Sequence, residues 1–473
     1  MFEQKLDYIK TMQDLPRLQQ PSTVQELGLK SIIIVLDDDP TGVQTVNNVY
    51  VYTDWSQDTI LKIFRSDENM AFILSNSRGL SSAESKKQHE IIAKNIAFAA
   101  KTTCRDFILV SRSDSTLRGH YPLETSTLRD VLEEELPIRF DGEIICPFFC
   151  EGGRFTINDI HYVREGNNLI PAGLTEFAKD KTFGYSASSL PEWCEEKTNG
   201  EYRAENIISI SIDMLRQSDT ACVTEKLMEA SNFSKIIVNA ADYADIKAFI
   251  LAYVEALKRG KRFIFRSAAA IPKILGEVAD KPLLTKNELV DTECSNGGLI
   301  VIGSHVNKTT SQFIELMKIP GIKGVEFNQH RILEENGLKK ESKRVSEIAE
   351  KYISEGITTV VYTKRARIDL PDASAEEQLE ASVRISDAVT DVVSSMKIKP
   401  AFIIAKGGIT SSNIGTEALK VKKAMVMGQV KPGIPVWMTG EESKFPGMPY
   451  VIFPGNVGNN ETLAEIVKML SGK

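Results

Sequence analysis

The sequence predicts an α/β protein built from two doubly wound, Rossmann-like domains with mostly parallel sheets. An uninterrupted aliphatic run, Ile32–Leu36, is typical of a strand that helices cover on both faces. Similar runs alternate with helical stretches along the chain, as in repeated β-α-β units. A stretch without periodicity then separates two such series. We therefore expect an N-terminal extension (1–30), a first domain (31–275), a linker (276–296) and a second domain (297–473).

Length and charge limit the possible functions. A chain of 473 residues is longer than one hydrophobic core usually organises, which favours two or three domains. The formal net charge of -7 and the isoelectric point near 5.6 argue against a broad nucleic-acid surface, because such a surface needs a basic stripe. A local basic pocket for an anionic substrate remains compatible with this balance.

Cysteine usage and the N-terminus predict a cytoplasmic protein. The six cysteines are scattered, and only Cys146 and Cys150 lie close together, without a His/Cys cluster that would indicate zinc. The first 21 residues carry mixed charges and lack the apolar core of a signal peptide. No run approaches the ~20 apolar residues of a membrane-spanning helix. We expect neither a membrane nor a nucleic-acid partner.

The first domain is predicted to alternate strands with helices. Helices are expected over 83–100 and in a stretch ending at Glu135. Strands are expected at 32–36, 70–74, 106–110 and 142–146, and within 206–212, 235–243 and 262–270. Residues 151–190 interrupt this rhythm with a predicted hairpin around 165–168. That insertion could serve as a lid or as a contact in a homodimer, and the sequence leaves both open.

Three polar loops follow predicted strands of the first domain: Asp37–Gly42, Ser75–Leu80 and Ser111–Gly119. Because parallel strands end at the same edge of a sheet, we expect these loops to lie together, where open α/β sheets bind ligands. They supply acids, arginines and small hydroxyls, a mixture that suits a small, polyhydroxylated anion. The members are Asp38, Asp39, Asp114, Arg78, Arg112, Arg118, Ser77, Ser111, Ser113, Ser115 and Thr116.

The consecutive acids Asp37, Asp38 and Asp39 indicate catalysis more than a turn. Adjacent carboxylates repel each other, a cost that a solvated acidic turn has no reason to carry. One acid could accept the proton of an attacking hydroxyl. The alternatives are a solvated turn for the acids and ordinary ion pairs for the arginines. His120, just after the third loop, is interpreted as structural or peripheral.

The second domain is predicted to bind phosphate groups. Strands are expected within 298–305, 358–365, 401–412 and 450–458, with a long amphipathic helix over 375–396. Glycine-containing turns at 303–304, 405–410 and 453–458 connect strands to helices, and small residues there let backbone N–H groups approach phosphate. Tight packing is the alternative explanation for each glycine. Neither a complete G-x-G-x-x-G pattern nor a complete P-loop is present.

Together, the motifs DDPTG, RSDSTLRG, GSHVNKTTSQ, AKGGITSS and PGNVG resemble the four-carbon acid sugar kinase family, over about residues 31–471. The resemblance implies a substrate-binding first domain, a nucleotide-binding second domain, and the cofactors ATP and Mg²⁺. The catalytic residues it implies are Asp38 and Asp39. The substrate-binding residues it implies, together with Arg78 from the loop comparison, are Thr41, Gly42, Arg112, Ser113, Asp114, Ser115 and Arg118. The implied nucleotide contacts are Ser304, Gly407, Gly408, Ile409, Thr410 and Gly455.

The sequence therefore predicts an ATP-dependent kinase that phosphorylates a hydroxyl of a small sugar acid such as threonate, erythronate or 3-oxo-tetronate. Arg112, Arg118 and Arg78 would bind the carboxylate. Two alternatives remain: a non-catalytic sensor of sugar acid or nucleotide, and an NAD(P)-linked hydroxy-acid oxidoreductase. The oxidoreductase predicts a dinucleotide fingerprint that the sequence lacks, and the sensor predicts ligand binding without nucleotide turnover.

Overall fold

A computed structural model describes residues 4–17, 27–216, 220–366, 375–455 and 457–472. The chain forms two compact units. The first unit comprises Met1–Val46 and Asp54–Ala279, and the second comprises Asn47–Thr53 and Asp280–Lys473. Parts of the expected N-terminal extension, 1–3 and 18–26, lie outside the described residues.

Strands account for the centre of each unit. In chain order they are β1 (Leu6–Asp7), β2 (Ile32–Asp37), β3 (Val49–Tyr52), β4 (Met70–Leu74), β5 (Phe107–Arg112), β6 (Gly142–Cys146), β7 (Arg154–Ile157), β8 (Ile160–Glu165), β9 (Asn168–Pro171), β10 (Ile208–Ile210), β11 (Ser234–Val238), β12 (Phe263–Ser267), β13 (Leu299–Ile302), β14 (Lys323–Phe327), β15 (Thr359–Thr363), β16 (Ile403–Lys406), β17 (Lys423–Lys431), β18 (Ile434–Thr439) and β19 (Pro449–Phe453).

Helices connect these strands. In chain order they are α1 (Tyr8–Asp14), α2 (Gln57–Arg65), α3 (Ser82–Thr103), α4 (Leu123–Glu135), α5 (Leu190–Lys197), α6 (Ile212–Arg216), α7 (Thr220–Met228), α8 (Tyr243–Lys258), α9 (Ala270–Leu275), α10 (Lys286–Leu289), α11 (Asn307–Leu316), α12 (Gly337–Ser354), α13 (Ala375–Ser395), α14 (Gly408–Asn413) and α15 (Thr462–Ser471).

The main sheet of the first unit is parallel throughout, in the order β10-β11-β6-β12-β5-β2-β4. Every residue of β2 is buried, which confirms that the aliphatic run is a central strand. In register, Asp37 at the end of β2 lies opposite Leu74 of β4 and Arg112 of β5. The loops after β2, β4 and β5 therefore lie at one edge, as predicted.

Local signals explain where the covering helices begin. Ser81 accepts a hydrogen bond from the Glu84 backbone N–H, and the Glu84 side chain accepts one from the Ser81 N–H. This capping box starts α3, which runs to Thr103 and packs against α2 and α4. A matching box formed by Asp242 and Asp245 starts α8.

The predicted hairpin is present and belongs to a second, antiparallel sheet of the first unit. Its order is β1-β9-β8-β7, and Glu165 pairs with Asn168 around the turn. The N-terminal β1 completes this sheet by pairing with β9, a contact that the sequence did not indicate.

The sheet of the second unit is mixed, in the order β3-β17-β18-β19-β16-β13-β15-β14. Strands β19, β16, β13, β15 and β14 are parallel, whereas β3, β17 and β18 are joined antiparallel. Neither the antiparallel strands nor β14 is predicted from the sequence. Thus α/β architecture with mostly parallel sheets is confirmed, with an antiparallel addition to one sheet.

The stretch interpreted as a linker contributes to the second unit. Within 276–296, the side chains of Leu284, Leu289 and Val290 are buried in the hydrophobic core of that unit, near Ile300 and Leu470. Helix α10 lies in the same stretch. Most other residues of the stretch are exposed, so a few buried side chains join an irregular surface path to the core, which explains its lack of periodicity.

Candidate functional site

The first unit places an ion pair at the carboxyl edge of its sheet. Asp37 and Arg112 end the neighbouring strands β2 and β5, and both side chains are buried. Arg112 Nη1 donates to Asp37 Oδ1 at 3.1 Å and lies 3.5 Å from Asp38 Oδ1. Burial raises the pKa of Asp37 to about 7, although Arg112 opposes the shift.

Arg78 binds both remaining acids of the first loop. Its Nε and Nη2 atoms donate to the two carboxylate oxygens of Asp38 at 3.1 and 2.6 Å, and its Nη1 donates to Asp39 at 3.3 Å. Such a forked contact fixes the orientation of the Asp38 carboxylate. The structure therefore brings the predicted Asp38, Asp39 and Arg78 together.

The two acids have opposite electrostatic environments. Burial raises the pKa of Asp38 above its usual value, despite the opposing charges of Arg78 and Arg112. For Asp39, Arg78 and the hydrogen bonds of Thr41 outweigh burial, so that its pKa is lowered. The Asp39 side chain is also 19% exposed, against 2% for Asp38. Two neighbouring carboxylates thus differ in basicity and access.

The third loop holds a separate ion pair. Arg118 Nε donates to Asp114 Oδ2 at 2.7 Å, and Thr116 Oγ1 also donates to that oxygen. Burial is outweighed by Arg78 and Arg118, which lower the pKa of Asp114. Arg118 Nη1 also lies 3.7 Å from Asp180, a residue of the insertion that the sequence did not connect with the site.

Smaller predicted residues shape the same edge. The Thr41 N–H donates to Asp39 Oδ1 at 2.8 Å. A Cβ at Gly42 would lie 1.9 Å from Asp37 Oδ2, so a larger residue there would displace the carboxylate. The Ser115 carbonyl accepts a hydrogen bond from His161 Nε2 at 2.8 Å. Ser113 Oγ is buried and has no hydrogen-bond partner among the described residues.

One arginine at this edge, Arg266, is not predicted from the sequence to belong to the site. Arg266 lies near the end of β12, directly beside β5, and is 5% exposed. Its Nη2 donates to the Arg118 carbonyl at 3.1 Å, whereas its Nη1 has no partner among the described residues. The sequence around it, RFIFRSAAA, was interpreted only as a strand. Its position one residue before the strand end was the available signal.

His120 has the structural surroundings expected of it. Its Nε2 lies 3.0 Å from the Leu80 carbonyl oxygen, and its ring packs edge-on against Phe183. It joins two loops at the rim and has no contact with the acids.

In the second unit, the predicted nucleotide contacts gather at the carboxyl ends of β13, β16 and β19, which are neighbours in the sheet. A Cβ at Gly303 would lie 2.5 Å from Thr410 Oγ1, and one at Gly407 would lie 3.5 Å from Ser304 Cβ. Ser304, Gly407 and Thr410 are therefore close together. Gly407 has φ of 115°, a backbone conformation that L side chains rarely adopt.

The remaining predicted positions flank this cluster. Gly408 is the first residue of α14, and the side chain of Ile409 is 71% exposed. Gly455 follows β19, and a Cβ there would meet no atom within 4 Å. Asn456, part of the same predicted turn, lies outside the described residues. The open side of Gly455 is compatible with close approach of a ligand to the backbone.

Two basic residues of the second unit, Lys406 and Arg365, are likewise not predicted from the sequence to belong to the site. Lys406 is fully buried, and its Nζ donates to the carbonyls of Pro454 and Gly455 at 2.7 and 3.0 Å. Burial lowers the pKa of Lys406 to about 7. Arg365 donates through Nη2 to the Ser304 carbonyl and to Thr310 Oγ1, both at 2.8 Å. Its Nε and Nη1 are buried without partners among the described residues.

Within the part of the chain that the structure describes, no group of three or more His, Cys, Asp or Glu side chains is arranged to hold a metal ion. The six cysteines are free thiols. No helix among the described residues is both long and apolar enough to cross a membrane.

The fold and these two clusters define a class: a two-unit α/β protein with an acid-and-arginine cluster in one unit and a glycine-lined sheet edge in the other. Family models specify it further. Residues 33–275 match the sugar-binding N-terminal domain, and residues 299–463 match the nucleotide-binding C-terminal domain. The chain therefore belongs to the four-carbon acid sugar kinase family, as the sequence motifs indicated.

Solved structures share the fold. A Salmonella typhimurium LT2 protein, provisionally described as a tRNA synthase, is 15% identical with a TM-score of 0.64, covering 91% of this chain and 97% of its own. A Haemophilus influenzae protein of the DUF1537 family is 16% identical with a TM-score of 0.62, covering 92% of this chain and 100% of its own. No curated protein matches the chain significantly. At these identities the likeness shows the fold alone.

Proposed function

We propose that this protein transfers a phosphoryl group from ATP to a hydroxyl of a small, four-carbon sugar acid such as threonate, erythronate or 3-oxo-tetronate. One observation carries the proposal. A single chain combines a cluster of acids and arginines in its sugar-binding domain with three glycine turns at one sheet edge of its nucleotide-binding domain. A hydroxy acid needs the first set of groups, and the phosphates of ATP need the second.

In the proposed reaction, the substrate hydroxyl oxygen forms a bond to the γ-phosphorus while the bond to the ADP oxygen breaks. The hydroxyl proton passes to a carboxylate. We assign this role to Asp38, because its burial raises its pKa and thereby its basicity, and because Arg78 fixes its orientation. Asp39 is the weaker base, because its pKa is lowered, and it serves to hold Arg78 in place.

The nucleotide is assigned to the second unit. Ser304, Gly407, Gly408, Thr410 and Gly455 would hold its phosphates through backbone N–H and hydroxyl groups. Ile409, with its exposed side chain, would contact an apolar part of the nucleotide. Arg365, whose Nε and Nη1 have no partner among the residues described, supplies positive charge beside Ser304. Mg²⁺ neutralises phosphate charge in such transfers and is commonly held by the phosphates with one or two carboxylates.

A coupled ADP-release assay tests the proposal. Mg-ATP is supplied with the stereoisomers of threonate, erythronate and 3-oxo-tetronate, using the wild type and Asp38→Asn. Acid-dependent ADP release that collapses in the variant supports the kinase. A rise in melting temperature with ATP, without release for any acid, contradicts the proposed substrates. If there is no ADP release and ATP does not raise the melting temperature, the kinase itself is contradicted and a sensor of sugar acids is favoured.

Two further expectations stay predictions. Sedimentation velocity would test the homodimer, and localisation of a tagged protein in cells would test the cytoplasmic site of action.

A further inference from the structure

The acid-and-arginine cluster contains four buried polar atoms without a hydrogen-bond partner among the described residues. They are Asp37 Oδ2, Arg112 Nε, Ser113 Oγ and Arg266 Nη1. An unsatisfied buried polar group costs about 1–3 kcal/mol, and proteins rarely leave several in one place. Two of them, on Ser113 and Arg266, can donate hydrogen bonds next to one small space. Such a group of donors indicates a polar ligand that accepts hydrogen bonds.

Arg266 differs from the other arginines of the cluster in its charge balance. Arg78 is paired with Asp38 and Asp39, Arg112 with Asp37 and Asp38, and Arg118 with Asp114 and Asp180. Within the described parts of the chain, no carboxylate lies within ion-pair distance of Arg266. Its guanidinium donates to the Arg118 carbonyl and lies over the Tyr121 ring, whose centroid is 5.8 Å from the guanidinium carbon.

This imbalance has an energetic consequence. A buried charge is normally paired, because the carbonyl and the ring together replace only part of its hydration. The three paired arginines already have protein carboxylates as counter-ions. Among Arg78, Arg112, Arg118 and Arg266, a carboxylate substrate would therefore meet unneutralised positive charge at Arg266 alone. An incoming anion would gain the most binding free energy by pairing with this unpaired charge.

A glycine keeps the space beside Arg266 open. A Cβ at Gly119 would lie 3.3 Å from Arg266 Nη2, 3.5 Å from Asp38 Oδ2 and 4.0 Å from Ser113 Oγ. The missing side chain therefore marks a small volume bordered by a cation, a hydroxyl and the proposed catalytic acid. Gly119 has φ of 116°, which also disfavours any L side chain at this position.

We propose that Arg266 binds the carboxylate of the sugar acid, with Ser113 donating a second hydrogen bond to it. The inference rests on the proposed function for the identity of the acid, but it assigns the charge recognition to a residue outside the predicted set. With its carboxylate at Arg266, the hydroxylated chain of the acid would lie beside Asp38. Arg78, Arg112 and Arg118 then orient the protein's own acids.

Binding measurements test this assignment without relying on turnover. Titration calorimetry with D-threonate, L-threonate and D-erythronate, and with the uncharged threitol and erythritol, compares wild type, Arg266→Met and Arg266→Lys. We expect Arg266→Met to weaken binding of the acids about 10- to 100-fold, as for loss of charge-assisted hydrogen bonds. Arg266→Lys keeps the charge without the fork and should recover part of the affinity. Binding of the polyols should change little.

Arg262→Met is the matched control. Arg262 stands four residues earlier, at the opposite end of β12, and pairs with Asp106 at 2.9 Å. The Arg262→Met substitution should leave acid binding unchanged. The melting temperature distinguishes a structural role of Arg266 from a role in binding the acid. If the Arg266 charge stabilised the fold, its loss would lower the melting temperature of the ligand-free protein. Loss of an unpaired buried charge should leave that temperature unchanged or raise it. A clear fall in Arg266→Met would count against the assignment.

The outcomes of these measurements distinguish the proposed carboxylate site from the proposed kinase activity. Acid binding that is lost in Arg266→Met but retained in Arg262→Met supports the carboxylate site, even if no acid stimulates ADP release. Equal acid affinity or an unchanged KM for the acid in Arg266→Met overturns the site, even if the kinase activity is present. Failure of all three acids to bind the wild type overturns it as well.

Discussion

Asp37 and Arg112 occupy opposed positions at the ends of two adjacent parallel strands, and their side chains meet at 3.1 Å while both are buried. Strand register thus creates the ion pair. The same guanidinium nitrogen lies 3.5 Å from Asp38, so one arginine stabilises two acids. The first prediction concerns the removal of that arginine.

Arg112→Met is expected to destabilise the protein by about 3–5 kcal/mol at pH 8, because it leaves buried carboxylates without their counter-ion. Urea denaturation would measure the loss. The control is Arg203→Met, which changes a side chain that is 70% exposed and should shift stability by about 0.5 kcal/mol at most. A similarly small effect of Arg112→Met would show that the pair does not stabilise the fold.

Asp37 should make stability depend on pH. Its pKa is raised from 3.8 to about 7 in the folded protein, so the folded state binds the proton more tightly than the unfolded state. The resulting stabilisation is complete below the unfolded value and is lost as pH rises to about 7. Relative to Asp37→Asn, the wild type should therefore lose stability between about pH 4 and 7. Urea denaturation across this range would measure the difference.

The control for this pH dependence is Asp67→Asn, which replaces an exposed carboxylate. Its stability difference from the wild type should stay nearly constant over the same range. A constant difference for Asp37→Asn as well would contradict the raised pKa.

The two candidate bases should differ in their kinetic effect. Asp38→Asn is expected to lower kcat by about 10²–10⁴, as for loss of a general base, whereas Asp39→Asn should lower it less. The reason is that burial raises the pKa of Asp38, while that of Asp39 is lowered. Steady-state ADP release at saturating acid and ATP measures both. Asp67→Asn should match the wild type, and the reverse order of effects would assign the base to Asp39.

Gly119→Ala should weaken binding of the acid without affecting ATP. The added Cβ would enter the space 3.3 Å from Arg266 and 3.5 Å from Asp38. Gly200→Ala separates this effect from backbone strain, since Gly200 also has a positive φ, of 81°, but no atom within 4 Å of its Cβ position. Both variants should lose roughly 1–3 kcal/mol of stability, the cost of an L side chain at a positive φ. Calorimetry with D-threonate should show weaker binding in Gly119→Ala alone.

Lys406→Met should weaken nucleotide binding. Nζ of Lys406 holds the carbonyls of Pro454 and Gly455, and the loss of two hydrogen bonds would free the third glycine turn. We expect the Kd of ATP to rise about tenfold, from two hydrogen bonds worth about 0.5–1.5 kcal/mol each, because a pKa of about 7 leaves Lys406 only partly charged near neutral pH. Lys351→Met, on the exposed face of α12, is the control. Unchanged ATP affinity would show that Lys406 has no part in positioning the turn.

Local patterns were sufficient for the parallel strands other than β14, and for the loops at their ends. The Ile32–Leu36 run could only be accommodated in a covered strand, and parallel topology then placed Asp38, Arg78 and Arg112 at one edge. The antiparallel strands β17 and β18 were missed. The residues of β17 are alternately half-buried and buried, but apolar residues occur at both kinds of position, so that the period of two is weak in the sequence.

Partnerships between distant residues could not be predicted in this way. Arg266 is an ordinary strand residue in the sequence, and its lack of a counter-ion becomes visible only when every nearby carboxylate is seen paired with another arginine. Lys406 likewise seemed part of a glycine motif. Its burial and its bonds to a turn nearly fifty residues away depend on the order of β16 and β19 in the sheet.

The short segment Asn47–Thr53 has a consequence for attempts to dissect the protein. The chain leaves the first unit to supply β3, which pairs with β17, and then returns before leaving again after Ala279. A fragment expressed from residue 280 onwards would lack β3, exposing unpaired backbone groups along β17 and inviting aggregation. A synthetic peptide covering residues 47–53 should restore the solubility of such a fragment. The sugar-binding half, cut out intact, would carry a strand that belongs to its neighbour.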